Sequence, residues 1–123
     1  MNATQTVDIK GARAVTVLSK GIFIFSWKVE TRLPNGNVVA TPSRDWVKIG
    51  DKDTIDLAKY PELFTEGAII WPRVHAELGE KHSSDAKVPY SKDGLVALYL
   101  VSGTTQDISI SFEGFLIPPV KGP

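Results

Sequence analysis

The chain has 123 residues, 42% hydrophobic and 23% charged, which is ordinary globular usage and enough apolar surface for one domain without a covalent staple. Fourteen Lys and Arg balance fourteen Asp and Glu, so no net field draws in phosphate backbones or anionic lipid from a distance, and nucleic acid is not an expected partner. Cysteine is absent, which excludes disulfides, thiol nucleophiles and thiolate zinc sites.

Met1 to Lys10 holds no apolar core of roughly 7–15 residues such as a signal peptide needs, so no secretory signal is read and a cytoplasmic location is permitted. Asn2-Ala3-Thr4 matches the N-glycosylation pattern and is read as chance spacing. The longest apolar run falls far short of the ~20 residues that cross a bilayer, so any membrane contact is expected to be peripheral.

Ala12 to Ser19 alternates Ala14, Thr16 and Leu18 with Val15 and Val17 and predicts a first strand. Gly21 to Leu33 predicts a long one: Phe23, Phe25, Trp27 and Val29 share the core face, opposite Ile22, Ile24, Ser26, Lys28 and Glu30. Pro34-Asn35-Gly36-Asn37 has the chemistry of a tight hairpin, with Val38 to Thr41 returning. Pro42-Ser43 breaks the ladder, and Asp45 to Ile49 and Thr54 to Leu57 read as short strands around Gly50-Asp51-Lys52-Asp53. Only Ala58 to Glu66 suggests helix, a short one or a 3-10 turn. Ala68 to Leu78 returns to period two, and Pro72, which has no N–H, predicts an edge or a bulge there.

Gly79 to Asp85 reads as an exposed loop, and Ser91-Lys92-Asp93-Gly94 as a turn. Leu95 to Val101 is apolar throughout and predicts the innermost strand, buried on both faces. Ser102 to Thr105 makes a second hairpin with Ile108, Ile110 and Phe112, and Pro118-Pro119 ends the sheet. Seven or eight short strands with turn signals predict a single all-β domain over residues 1–123, an antiparallel two-sheet β-sandwich.

Strand periodicity places Trp71, Arg73, His75 and Glu77 in one row on the non-core face. An indole beside hydrogen-bonding groups suits a sugar ring; the structural alternative is Trp71 packed under a loop or subunit and the others forming a solvated face. Asp45-Trp46, Tyr60 and Tyr90 sit near predicted turns, where a scaffold presents binding residues, though aromatics there also serve as rim packing. His75, Glu77 and His82 have metal-ligand chemistry but neither helical spacing nor a fourth ligand, and Asp51, Asp53 and Asp56 lack the glycine and glutamate of a calcium loop. No metal and no cofactor is expected. No nucleophile elbow, phosphate loop or buried carboxylate pair is visible, so the reading leans away from an enzyme.

Tyr90-Ser91-Lys92-Asp93-Gly94-Leu95-Val96-Ala97 resembles a segment of the actinoporin-type cytolysins, β-sandwich proteins that bind phosphocholine headgroups. Where that family has an aromatic-rich lipid-binding loop, this chain has Thr104-Thr105-Gln106-Asp107. Three readings follow in order: a non-catalytic, lectin-like module taking a glycan or small-molecule ligand through Trp46, Trp71, Arg73, His75, Glu77 and Tyr90; a membrane-docking or oligomer-forming protein; and a small hydrolase or isomerase. Ile22, Ile24, Ile69 and Trp71 would form a homodimer interface if they lay together.

Overall fold

The computed structural model describes residues 11–116; the sequon at Asn2, the rest of Met1 to Lys10 and Pro118-Pro119 lie outside them. Ten strands form two sheets: β1 (Ala12–Ser19), β2 (Phe25–Arg32), β3 (Val38–Ala40), β4 (Arg44–Val47), β5 (Lys52–Asp56), β6 (Ile69–Ala76), β7 (Lys81–Ser83), β8 (Val88–Pro89), β9 (Leu95–Thr104) and β10 (Asp107–Leu116). The first sheet runs β10-β9-β1-β5; the second runs β3-β2-β6-β7, with β4 also on β2 and β8 also on β6. The expected all-β sandwich is present.

Its alternation is that of the sequence. Phe25, Trp27 and Val29 of β2 and Ile70, Val74 and Ala76 of β6 pack against Val15 and Val17 of β1 and Ala97, Tyr99 and Val101 of β9. Tyr99 is fully buried, its hydroxyl donates to the Ala86 carbonyl at 3.0 Å, and burial raises its pKa to about 12.

Two expectations are corrected and two are met. The long strand begins at Phe25, because Lys20 to Ile24 crosses from one sheet to the other. The helical signal yields the expected 3-10 turn, at Leu57–Lys59, capped when Asp56 accepts from the Ala58 amide; Pro61 halts propagation beyond it. Pro72 stands at the local edge expected of it: it pairs with Val29 across β2, and on its other side it falls in the gap between β7, whose pairing ends opposite Arg73, and β8, whose pairing begins opposite Ile70. Strand β9 is central but lies parallel to β1, and only one of its faces is fully buried.

The sheets are tied along one side by a polar clamp. Trp27, at the centre of the core, donates from Nε1 to Asp53 Oδ2 of the opposite sheet at 2.9 Å. Arg44 grips the same carboxylate through Nε (3.1 Å) and Nη2 (2.9 Å). Burial pushes the Asp53 carboxyl up, but the hydrogen bonds from Arg44 and Trp27 together with the Arg44 charge prevail, and its pKa lies below the usual 3.8.

Two outcomes follow. Trp27→Ala should cost about 3–5 kcal/mol, read as a urea-unfolding midpoint, because it opens a cavity and strands the carboxylate. Unfolded Asp53 takes its proton near 3.8 and folded Asp53 only at lower pH, so its contribution is present above 3.8 and is lost as pH falls through the folded value. Asp53→Asn should therefore lower stability at neutral pH and flatten its acid dependence.

Candidate functional site

Strand direction places four turns at the end of the sandwich where β1 finishes. Lys20 to Ile24 leads into β2, Lys48 to Asp51 joins β4 to β5, Glu77 to Glu80 joins β6 to β7, and Thr105-Gln106 joins β9 to β10. Backbone hydrogen bonds lace them together. Ser19 N donates to Asp51 O and Gly50 N to Ser19 O, both at 2.9 Å, while Glu77 N donates to Ile24 O at 2.9 Å and Glu80 N to Thr105 O at 2.8 Å. Gly79 is obligatory here, since a Cβ would stand 2.5 Å from the Thr105 carbonyl oxygen.

These turns carry exposed aliphatic side chains. Ile22 is 75% exposed, Ile49 59% and Leu78 96%, with Ile24 beside them. Each of the first three adjoins a glycine in Gly21-Ile22, Ile49-Gly50 and Leu78-Gly79, positions where turn chemistry ordinarily supplies polar residues. Trp46 joins this end, one residue from Val47, which pairs with Phe25 at the start of β2. Between the pairs Phe25–Val47 and Trp27–Arg44, strand β4 has one residue more than β2. This bulge leaves the Trp46 side chain 53% exposed.

Backbone strain singles out the same residues. Among the described residues, the non-glycine positions with positive φ are Trp46 (64°) and Leu78 (55°). That region costs an L-residue with a bulky side chain roughly 1–2 kcal/mol. Both positions thus combine strain with the exposure of a large apolar group, and neither gains from core packing.

The surrounding charge is mixed. Lys20, Lys48, Lys52 and Lys81 are exposed at this end, as are Asp45, Asp51, Glu77, Glu80 and Asp107.

The residues expected from sequence to bind a ligand are distributed over three places. Trp71, Arg73 and His75 do form a row on the outer face of β6, facing Glu30, Lys28 and Ser26 of β2. Trp71 is only 5% exposed, however: its Nε1 donates to Glu30 Oε1 at 2.8 Å and Lys87 Nζ stands 4.5 Å from its ring centroid. No open indole face remains for a sugar there. Glu77 lies beyond the strand in the apolar end's turn, and Trp46 is at that end too.

Tyr90 is buried at the opposite end against Phe64, with ring centroids 5.6 Å apart. Burial first, then the charges of Glu66, Asp56 and Asp93, raises its pKa. His75 and His82 lie on opposite faces, since His82 pairs with core-facing Val74. Asp53 and Asp56 are committed to the clamp and the 3-10 cap. Ile22 and Ile24 lie at one end of the molecule and Ile69 at the other, so the expected dimer patch does not assemble.

Sequence reasoning assigned Leu78 to a core row and Ile49 to a strand, and so missed both; the aliphatic-glycine pairs were the signal that could have found them. Replacing Leu78 or Trp46 by Asn, which tolerates positive φ, should raise stability by about 1 kcal/mol each, measured by chemical denaturation.

No protein-family model and no curated protein matches the chain. Among solved structures it is similar to the membrane-binding domain of pneumolysin, at 10% identity and a TM-score of 0.44 over 85% of this chain and 96% of that one. It is also similar to a disulfide-locked mutant of intermedilysin solved with human CD59, at 14% identity and 0.43 over 84% of this chain and 24% of that one. A non-hemolytic pneumolysin from Streptococcus pneumoniae strain ST306 matches at 8% and 0.42, over 84% and 23%. The chain thus spans about a quarter of the full-length toxin chains and nearly all of the isolated domain. At these scores the likeness carries no functional argument.

Proposed function

We propose that the protein is a non-catalytic binding module that docks on a lipid surface through the end formed by Ile22, Ile24, Trp46, Ile49 and Leu78. The observation that carries this reading is the coincidence of strain and exposure at Trp46 and Leu78. The backbone conformation alone would favour Asn or Gly at both, and neither side chain belongs to the core.

A bilayer suits these groups better than a protein partner does. The aliphatic side chains stand on separate turns interleaved with lysines, so they do not make the broad complementary patch of a protein interface. Insertion into the headgroup and acyl boundary needs no such complementarity: the aliphatic tips enter, the lysine ammonium groups remain in water, and an indole sits at the boundary between them. Four lysines against five acids at this end imply no preference for anionic lipid through net charge.

The carbohydrate reading now rests on Trp46 alone. It borders an open hollow lined by Asp45, Asp51, Lys52 and Asp53, and a glycan array on wild type and Trp46→Ala tests it directly.

Flotation with phosphatidylcholine vesicles tests the membrane reading. Wild type should float with the vesicles in low and high salt alike, and Ile22→Asn or Leu78→Asn should weaken binding by about tenfold, the value of burying part of one aliphatic side chain. Trp27 and Trp71 are buried, so a blue shift of tryptophan emission on vesicle addition reports Trp46. Absence of wild-type flotation, or equal flotation of the Asn variants, would overturn the reading.

A further inference from the structure

We infer that the outer face of the second sheet carries an oxyanion site, for a phosphate or sulfate ester, formed by Lys28, Arg73, His75 and Lys81 with the hydroxyls of Ser26 and Ser43. Together with Trp27 these six residues line a hollow of about 260 Å³, and no acidic residue lines it. In a chain whose charges sum to zero, a concave surface bearing three lysine and arginine cations, an imidazole and two hydroxyls is a local excess of positive charge and of hydrogen-bond donors.

The register makes this excess costly without a ligand. Lys28 stands directly opposite Arg73 on neighbouring strands, and His75 directly opposite Lys81. The like charges of Lys28 and Arg73, facing one another across the ladder, repel, and among the described residues the one salt bridge joins Arg44 to Asp53, elsewhere in the molecule. An acid at position 28 would have relieved the repulsion, and none is there.

Arg73 is also oriented in advance. Its Nη1 donates to Ser83 Oγ at 2.8 Å, and Ser83 Oγ in turn donates to Glu30 Oε1 at 2.9 Å. Glu30 Oε1 is engaged as well by the Trp71 indole, at 2.8 Å. The carboxylate therefore steers the guanidinium through a serine without pairing with it. Only one of the five guanidinium N–H donors is used in this way, and the planar fork is suited to a tetrahedral oxyanion, which accepts two parallel hydrogen bonds. The hollow is several times the ~30 Å³ share of a water molecule, leaving room for the oxyanion and for the group that bears it.

Two sources could supply that oxyanion: a soluble ester or the headgroup of a lipid. His75 lies three residues before Leu78, roughly 10 Å along an extended chain at about 3.3 Å per residue. If the apolar end enters a bilayer, the hollow stands near headgroup depth, and only this lipid source rests on the docking proposal.

The first arm of the test uses no lipid. The protein is titrated with inorganic phosphate and with sulfate at constant ionic strength, chloride serving as control, while backbone amide resonances are followed. Saturable shifts at Ser26, Lys28, Ser43, Arg73 and Lys81 are expected, with affinity about tenfold weaker in Lys28→Gln and in Lys81→Gln, each of which removes one charge-assisted partner. Both are solvent-facing changes away from the core, and unchanged resonances elsewhere verify the fold. Shifts equal to those from chloride, or equal affinity in both variants, would overturn the site.

The second arm compares vesicles of phosphatidylcholine, with a minor fraction of either phosphatidic acid or phosphatidylserine, at matched charge. A preference for the phosphate monoester that Lys28→Gln abolishes assigns the site to a lipid headgroup, and saturable phosphate binding without that preference assigns it to a soluble ester. Failure of flotation alone bears on the docking proposal, while the phosphate titration by itself upholds or overturns this site.

Discussion

The hydrogen bond from Trp27 to Asp53 is the constraint on which the rest of the sandwich depends. Trp27 fills the centre of the interior, and its polar edge must find a partner in the same place, because an indole N–H left buried without one is costly. Asp53 supplies it from the opposite sheet, and Arg44 supplies the countercharge that lets a carboxylate sit at the margin of a core. One interaction thus fixes β2, β4 and β5 together. It also fixes how far β4 and the turn after it can travel, and that turn carries Ile49.

Energy is distributed unevenly over the molecule as a result. The middle of the sandwich follows the rules of folding closely: alternating burial, satisfied polar edges and a capped turn. The end where β1 finishes departs from them, placing Trp46 and Leu78 in backbone conformations that favour glycine and leaving Ile22, Trp46, Ile49 and Leu78 each more than half exposed. The lacing of Ser19, Asp51, Ile24, Glu77, Glu80 and Thr105 by main-chain hydrogen bonds, with Phe23 anchored in the core, lets that end hold its shape while its aliphatic tips stay exposed. Rigid turns bearing exposed apolar tips suit docking, since little ordering entropy remains to be lost on contact.

The outer face of the second sheet shows a different departure. Its first row, Glu30 with Trp71, is satisfied by an indole-to-carboxylate hydrogen bond and covered by Lys87. The next rows, Lys28 with Arg73 and Ser26 with His75, gather cations and donors around a hollow. Within one ladder the chain therefore passes from a closed structural pair to an open polar site, and Ser83 links the two by receiving a hydrogen bond from Arg73 and giving one to Glu30.

What the sequence by itself determined is the alternation: which residues of β2 and β6 face inward, where the hairpin at Pro34 to Asn37 turns, and that Trp71, Arg73 and His75 share a row. Period two is a local property of an extended chain, and the interior positions of one strand are legible without knowing its neighbours. Only the tertiary structure decided which strands pair. The parallel union of β1 with β9, the gap between β7 and β8 that accommodates Pro72, and the burial of Trp71 beneath Lys87 depend on segments distant in sequence. The bulge that turns Trp46 outward depends on its register against β2, and the gathering of Ile22, Ile49 and Leu78 depends on three turns from different parts of the chain reaching the same end. Pairing is chosen by the whole core and its polar edges at once, and no window of sequence contains that choice.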